Sequence, residues 1–161
     1  MMNRSDHRPA SSIIISVYKD DVALRLILDS LLQQSSTDFE IIVSEDCQSE
    51  TIKQCIAEYS DSTFSIMHLN QADDGFRKNI ALNRAIQASN SQHLIFIDGD
   101  CVPHPDFVAA HQRYIGVGIA ATGRRLELGE SISSALRNRQ ISLSYLSNRL
   151  RYILHLSLIH I

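Results

Sequence analysis

The sequence predicts an α/β protein with a doubly wound, mostly parallel sheet, and three observations along its 161 residues support that fold class. Short apolar runs rich in β-branched residues alternate with longer segments whose apolar residues repeat at helical spacing. The apolar runs are continuous, which is typical of strands buried on both faces of a parallel sheet. Most runs end directly in polar or acidic residues. Since ligands of such sheets bind beyond the carboxyl ends of the strands, these residues mark the candidate site.

The first half of the chain is predicted to follow a β-α-β-α-β order. The run SIIISV at residues 12–17 predicts the first strand, and residues 22–33 carry apolar side chains at helical spacing opposite a polar row. The run FEIIV at residues 39–43 predicts the second strand. A Ser cap followed by an acid begins a second helix at residues 49–59. Residues 64–69 are predicted to form the third strand.

The alternation continues in the second half. Three alanines permit close approach of a third helix at residues 79–89, and the run LIFI at residues 94–97 predicts a fourth strand. Two prolines are then expected to interrupt regular structure. A short helix at residues 106–113 and a strand at residues 115–122 complete the predicted elements. Residues 1–10 are polar and aperiodic, which favours a flexible leader.

Composition indicates one ordinary soluble domain, with 44% hydrophobic, 20% charged and 6% aromatic residues. The three cysteines are an odd number without C-x-x-C spacing, and no cleavable signal peptide precedes them. This usage favours a reducing, cytoplasmic location and argues against a structural disulfide or a zinc site. A chain of this length buries enough surface to fold without either.

Charge is divided along the chain. Residues 1–120 carry nine lysines and arginines against sixteen acids, whereas residues 121–161 carry six against two. Acid-rich loops in the first part suit a metal ion, and the basic second part suits phosphate or the inner face of an anionic membrane. The few aromatic residues do not interleave with the basic ones, so nucleic acid is not an expected partner.

Two carboxylates, Asp98 and Asp100, flank Gly99 at the end of the fourth predicted strand. Glycine permits close approach of the backbone, and hard oxygen ligands of this kind suit Mg²⁺ or Mn²⁺. A carboxylate about 4 Å from a phosphate charge is repelled by roughly 4 kcal/mol at an effective dielectric near 20, and a bridging cation reverses that sign. The motif also imitates the aspartyl-phosphate nucleophile of a phosphatase or phosphotransfer domain. Its position on the fourth strand, rather than the first, argues against that alternative.

Neighbouring residues have simpler explanations. Polar residues at strand ends often only form turns. Cys101 is predicted to be a small buried side chain rather than a nucleophile. His104 and His111 lie seven residues apart with a proline between them, which favours surface or capping roles over a shared metal. Arg124 and Arg125 suit either a phosphate or a solvated loop.

Four segments occur in the order, and near the spacing, of the motifs of a known family. They are Tyr18 after the first strand, IIVSEDCQSE at residues 41–50, DDGFRKNIALNRAI at residues 73–86, and LIFIDGDCVPHPDF at residues 94–107. Through them, residues 11–125 resemble the nucleotide-binding half of a family 2 glycosyltransferase with the GT-A fold. The particular residues of these motifs are similar to those of bacterial members that build surface polysaccharides and are related to galactosyl and N-acetylgalactosaminyl transferases.

The resemblance implies a UDP-sugar donor, Mn²⁺ or Mg²⁺ as cofactor, a glycan or lipid-linked acceptor, and transfer that inverts the sugar. Matched by position in the motifs, the implied nucleotide-sugar residues are Val17, Tyr18, Glu45, Asp46, Gly75, Arg77, Asn83, Asp98 and Gly99, and the implied metal ligands are Asp100 and Asp98. The sequence departs from the family's pattern at Leu82, Ala85 and the stretch Ser44-Glu45-Asp46-Cys47.

The resemblance also implies a role for each residue. Tyr18 and Asp46 would contact uridine, with Glu45 at the family's first, more variable acid. Arg77 would face the diphosphate, and Asn83 matches the asparagine near it. The two acids of the DGD motif would contact ribose or sugar and coordinate the metal, respectively.

An inverting transferase needs a carboxylate that takes the proton from the acceptor hydroxyl. Glu130 is the only acid after Gly129. The resemblance therefore leads us to expect the general base beyond Ile161, a truncated transferase, and an incomplete acceptor-side region at residues 126–161. A non-catalytic sugar-nucleotide-binding module is the alternative from another functional class.

The tail, which ends in SNRLRYILHLSLIHI, mixes basic and apolar residues. Its charges argue against a membrane span, and no domain-closing helix is predicted there. A basic amphipathic segment can lie on anionic lipid as a peripheral contact. Alternatively, its apolar residues are expected to pack on a part of the domain that is absent here, which leaves an aggregation-prone end. The residues concerned are Arg137, Arg139, Ile141, Leu143, Leu146, Arg149, Leu150, Arg151, Ile153 and Leu154.

Overall fold

The computed structural model describes residues 8–150 and 158–160. Its elements in chain order are β1 (Ser11–Val17), α1 (Asp21–Leu31), β2 (Phe39–Glu45), α2 (Glu50–Ala57), β3 (Ile66–Leu69), α3 (Lys78–Ala88), β4 (Leu94–Asp98), β5 (Cys101–Pro103), α4 (Phe107–Gln112), β6 (Arg125–Glu127), α5 (Glu130–Arg137), α6 (Leu143–Leu150) and β7 (Leu158–His160). The chain divides into two compact units. The first holds the chain up to Tyr18 with Thr37–Ile97, and the second holds Lys19–Ser36 with the chain from Asp98.

A four-stranded sheet in the order β3-β2-β1-β4 forms the centre of the first unit. β1 pairs with β2 and β2 pairs with β3 in parallel, with Ile14 opposite Ile42 and Ile42 opposite Met67. β1 is buried at every residue but one, and β2 is buried along its whole length. This burial confirms the α/β class with a parallel sheet and explains the continuous apolar runs that predicted it.

The core of the first unit lies where α3 packs on the sheet. Ala85 of α3 is fully buried against Ile14 of β1 and Ile42 of β2, and partly buried leucines surround the three. Ala81, one turn earlier, is 5% exposed. The predicted close approach of the third helix is therefore confirmed, because the two buried side chains of α3, Ala81 and Ala85, are both small.

A buried carboxylate fixes one end of the sheet in the first unit. Glu40 of β2 accepts hydrogen bonds from the Ser12 hydroxyl at 2.6 Å and from the Asn90 backbone and side-chain amides at 2.7 Å each. The Ser12 oxygen in turn accepts the Ser91 N–H at 3.1 Å. Hydrogen bonds to an ionised acceptor are stronger than neutral ones, so Glu40 secures the turn that precedes β4 to both central strands.

The second unit joins α1 to the chain that follows β4. Gln34, just after α1, is buried; its amide accepts the Val108 N–H at 3.0 Å and donates to the His104 carbonyl at 2.8 Å. Asp20 caps the start of α1 and accepts two hydrogen bonds from Arg137 of α5, at 2.9 and 3.0 Å. A three-stranded sheet in the order β5-β7-β6 completes this unit.

The first seven predicted elements and the short helix predicted at residues 106–113 are confirmed, with ends that differ by about two residues or fewer. The strand predicted at residues 115–122 is wrong. These residues form turns and irregular chain, and Val117 is fully exposed. The prediction that the prolines interrupt regular structure is also wrong at Pro103, which ends β5. A run of residues with high strand propensity, such as residues 115–122, does not form a strand unless its backbone finds a hydrogen-bonding partner. β5 has such a partner in β7.

The tail is described only in part. α6 continues to Leu150 and so covers the first four residues of the tail. Arg151, Ile153 and Leu154 lie outside the described residues. Within the described ranges, no helix has both the length and the apolar character needed to cross a bilayer.

We expect Glu40→Gln to lower the free energy of unfolding by about 1–3 kcal/mol, because the new amide would face donors that the carboxylate now satisfies. Chemical denaturation followed by circular dichroism measures the change. Glu127→Gln, at an exposed position of β6, is the matched control and should shift stability by less than about 0.5 kcal/mol. Equal losses in the two variants would contradict the role assigned to Glu40.

Candidate functional site

The residues predicted at the strand ends are divided between the two units. Val17, Tyr18, Glu45, Asp46, Gly75, Arg77 and Asn83 belong to the first unit, and Asp98, Gly99 and Asp100 belong to the second. β1 and β2 are parallel neighbours, so their carboxyl ends lie side by side. The first unit therefore brings Val17 and Tyr18 next to Glu45 and Asp46, as the sequence predicted.

The Asp46 side chain organises this end of the sheet. It is 5% exposed, and its backbone N–H donates to the Val17 carbonyl at 3.0 Å, which joins the ends of β1 and β2. One carboxylate oxygen accepts the Gln71 side-chain amide at 2.6 Å, and the other accepts the Arg77 backbone N–H at 2.8 Å. Gln71 also donates to the Arg77 carbonyl at 3.3 Å. A single buried carboxylate thus holds the segment Asn70 to Arg77 against the sheet.

Glu45 points into the protein rather than outward. Its side chain is fully buried, and one oxygen accepts the Ser49 N–H at 2.7 Å and the Cys47 thiol at 3.0 Å. The other oxygen lies 2.6 Å from Nε2 of His68 in β3. These contacts fix the turn between β2 and α2. Glu45 therefore supports the position of Asp46 from within.

The segment that Asp46 holds carries two further acids. The Tyr18 hydroxyl lies 3.5 and 3.4 Å from the two carboxylate oxygens of Asp73, and the Arg77 guanidinium forms an ion pair with Asp74. Gly75 has a φ of +74°, which residues with a side chain rarely adopt. The backbone can therefore turn between Asp74 and Arg77, and this turn brings the paired side chains together.

Asn83 stands apart from this group. It is exposed on α3, almost two turns beyond Arg77. In the part of the chain that the structure describes, no hydrogen bond joins its side chain to Asp46 or to Arg77. The neighbouring Arg84 does reach back to the segment, because its guanidinium donates to the Asn70 carbonyl at 3.1 Å.

The acid pair at the end of β4 belongs to the second unit. Asp98 is exposed and Asp100 is half-buried, with Gly99 between them. The Cys101 thiol is buried and lies 3.4 Å from a carboxylate oxygen of Asp100. Burial, the Asp100 hydrogen bond and the two acidic charges raise the pKa of Cys101 to about 12. Cys101 is 2% exposed, which confirms the prediction of a small buried side chain.

The donor set of the acid pair fits a hard divalent cation. Among the described residues, no three His, Cys, Asp or Glu side chains converge as a metal-binding group. Mg²⁺ is usually held by one or two carboxylates together with substrate phosphates and water, rather than by an all-protein cage. Two carboxylates separated by one glycine meet that description, so Asp98 and Asp100 are suitable ligands for a cation that arrives with a phosphate.

The two histidines after the acid pair have local roles. Nδ1 of His104 accepts the Asp106 N–H at 3.2 Å near the start of α4. The ring of His111 packs edge-on against Phe107, with ring centres 4.5 Å apart. The His104 contact fits a capping role, whereas the His111 ring is half-buried against Phe107 and does not lie on the surface.

Sequence reasoning missed Gln71 and His68, which hold the two adjacent acids. Both lie more than twenty residues from their partners, so no local pattern reveals the contacts. The register does explain His68: it pairs with Val43, and Glu45 lies two residues further on the same face of β2. Diagonal neighbours of this kind are within reach of long side chains.

We expect Asp46→Asn to loosen the segment from Asn70 to Arg77. The new side-chain NH₂ would face the Gln71 amide or the Arg77 N–H, and each of these donors now bonds to a carboxylate oxygen. Losing a charge-assisted hydrogen bond of this kind costs about 1.5–3 kcal/mol, so the Arg77 amide should exchange with deuterium at least about tenfold faster. Asp61→Asn, at an exposed turn, serves as control. Unchanged protection of the Arg77 amide in Asp46→Asn would contradict the role of this carboxylate.

Comparison with known proteins identifies the family. Residues 12–155 match the family model described as glycosyl transferase family 2. A validoxylamine A glucosyltransferase of Streptomyces hygroscopicus subsp. limoneus is 30% identical over 117 residues, which cover 69% of this chain and 26% of that protein. A chondroitin synthase of Escherichia coli is 27% identical over 117 residues, covering 71% of this chain and 17% of that protein. The chain thus spans about a quarter or less of these relatives.

Solved structures share the fold. TarS 1-349 of S. aureus in complex with UDP aligns with a TM-score of 0.57 at 20% identity, over 62% of this chain and 30% of that chain. The mannosyltransferase PcManGT from Pyrobaculum calidifontis, in complex with GDP-Man and Mn²⁺, aligns with a TM-score of 0.57 at 15% identity, over 68% and 34%. The sheet order, the strand-end acids and these matches agree with the family model, and the chain belongs to glycosyl transferase family 2.

Proposed function

We propose that this chain binds a UDP-sugar and takes part in moving the sugar to a glycan or lipid-linked acceptor during bacterial surface polysaccharide synthesis. The observation that carries the proposal is the buried Asp46 carboxylate, which holds the segment bearing Arg77 at the carboxyl end of β2. Ligands of parallel sheets bind at that end. Family membership supports sugar transfer, and the chondroitin synthase relative supports a polysaccharide product.

Uridine is assigned to Asp46 and Tyr18, beside the end of β1 at Val17. Each Asp46 oxygen accepts one N–H and retains a second lone pair. Uracil offers an N–H at its ring edge where cytosine has a bare nitrogen, so a carboxylate acceptor favours uracil. Tyr18 is 53% exposed and offers a ring face to the base. Glu45 is assigned a supporting role, because its oxygens are used inside the protein. The structure of TarS with UDP supports a uridine nucleotide.

The diphosphate is assigned to Arg77, with Asn83 further along α3 as a second polar contact. Asp100 and Asp98 are assigned to a divalent cation, and Gly99 leaves room for close approach. When bound, Mn²⁺ or Mg²⁺ supplies positive charge that balances the diphosphate as it leaves the sugar. The mannosyltransferase complex with GDP-Man and Mn²⁺ supports a divalent cation.

Transfer also requires a base that removes the proton of the acceptor hydroxyl as its oxygen attacks the anomeric carbon and inverts it. Glu130, the only acid after Gly129, lies exposed at the first position of α5. No contact recommends it as that base. We therefore assign donor binding to this chain and leave the base unassigned within it.

Peripheral contact with an anionic membrane through the basic tail remains a proposal. Part of this segment already has partners in the second unit: Arg137 is bonded to Asp20, and Leu136 and Leu146 are buried. Exposed Arg139 and half-buried Ile141 and Leu143 are the described residues that such a contact would use.

We expect the chain to bind UDP at least about tenfold more tightly with Mn²⁺ than with EDTA, because the cation removes the repulsion between Asp100 and phosphate. Asp100→Asn should lose most of that ratio. Asp46→Ala should weaken UDP under both conditions and keep the ratio, since its assigned partner is the base. Titration calorimetry measures all three.

The exposed Asp61 supplies the control: Asp61→Asn should bind UDP as the unsubstituted chain does. Equal affinity with and without Mn²⁺ would exclude the assigned role of Asp100. No binding of UDP under either condition would overturn the proposed function.

We also expect donor binding and sugar transfer to separate in this 161-residue chain. General-base help raises the rate of transfer by about 10²- to 10⁴-fold, and acceptor positioning raises it by further powers of ten. Because we assign only donor binding to this chain, its turnover should be near slow donor hydrolysis. Radiolabelled UDP-galactose and UDP-N-acetylgalactosamine with a panel of acceptors measure it. Transfer at ordinary enzyme rates, about 1–10³ per second, would place the base within these residues and make Glu130→Gln the first variant to test.

A further inference from the structure

Two acids, Asp73 and Asp74, lie beside the side chains that we assign to the donor. The Tyr18 hydroxyl donates to the Asp73 carboxylate over 3.4–3.5 Å, and the Arg77 guanidinium forms an ion pair with Asp74. The proposed function uses neither acid. Both donor-facing side chains therefore already contact a carboxylate from the same short segment.

These contacts are of a kind that a ligand can displace. The Arg77 and Asp74 side chains are 45% and 68% exposed, and water screens ion pairs at such exposure, so they contribute little to stability. The distances between Tyr18 and Asp73 exceed the usual range of about 2.5–3.0 Å for a hydroxyl donor. A phosphate oxygen could therefore replace Asp74 at Arg77 at little cost to the protein.

The backbone of the segment is fixed much more firmly than its acids. The Gln71 side chain and the Arg77 N–H bond to the buried Asp46 carboxylate at 2.6 and 2.8 Å. The left-handed turn at Gly75 lies between Asp74 and Arg77. Asp73 and Asp74 therefore stay close to Tyr18 and Arg77 even when a bound ligand replaces them as contacts of these side chains. Their negative charges then continue to repel an anionic ligand.

We propose that Asp73 and Asp74 oppose binding of a free donor diphosphate: Asp74 occupies Arg77, and both carboxylates repel the phosphate charge. The site therefore selects a diphosphate balanced by a cation over the free anion. This inference rests on the proposed function. A free diphosphate must displace Asp74 from Arg77 and then face two nearby carboxylates. A cation-bound diphosphate carries less negative charge and a nucleoside carries none, so the repulsion decreases in that order.

The test compares Asp73→Asn, Asp74→Asn and the double variant with Asp61→Asn, an exposed acid of the same unit. Asparagine keeps the shape of aspartate and removes its charge. The full 161-residue chain is titrated with UDP and with uridine in EDTA, and with UDP in Mn²⁺. In EDTA, we expect UDP to bind at least threefold more tightly to each single variant and at least tenfold more tightly to the double variant. Uridine affinity should stay within twofold, and Mn²⁺ should reduce the gain for UDP by more than half.

Each contrary result has a distinct meaning. If UDP binds the unsubstituted chain and the double variant equally, the inference is wrong while the proposed function stands. If uridine gains as much as UDP, the acids act on the shape of the segment and not on charge, which also overturns the inference. A gain that Mn²⁺ leaves undiminished overturns selection for the cation-balanced diphosphate. If neither UDP nor uridine binds any variant under any condition, the proposed function is wrong and the inference with it.

Discussion

The Asp46 carboxylate is the interaction on which the candidate site depends. It lies at the carboxyl end of β2, buried, and bonds a side-chain amide and a backbone N–H of a segment that begins more than twenty residues later. These two bonds hold the Arg77 backbone close to the joined ends of β1 and β2. Burying a carboxylate costs free energy unless its oxygens accept hydrogen bonds. The Gln71 amide and the Arg77 N–H therefore stabilise the buried Asp46, and Asp46 in turn orders their segment.

Periodicity predicted the elements of the first unit well, since buried parallel strands and amphipathic helices leave strong patterns in the sequence. Periodicity does not predict a strand whose formation depends on a partner distant in the chain. Ile115 and Ile119 made residues 115–122 look like a strand, yet they are exposed, and Gly118 adopts a φ of +75° that interrupts extended backbone. β5 has only three residues and exists because β7 pairs with it. Such short strands carry no pattern of their own.

Topology explains how much of the site could be predicted. Once β1 and β2 are parallel neighbours, Tyr18 and Asp46 must lie together, whatever their detailed contacts. The partners of the acids were not predictable, because Gln71 and His68 reach them through the register and the loop path. The same limit applied to Glu45: its position at a strand end was clear, but only the structure shows that its carboxylate turns inward to His68.

The cysteines have a practical consequence for experiments on the folded chain. Cys47, Cys55 and Cys101 are not joined in a disulfide, and each is no more than 2% exposed. A maleimide in neutral solution needs an accessible thiolate, which none of these buried side chains offers. The native chain should therefore behave toward such a reagent as if it contained no cysteine. A single cysteine introduced on the exposed face of α3 would be a unique attachment point for a fluorophore or spin label, and reaction of the native thiols would report opening of the fold.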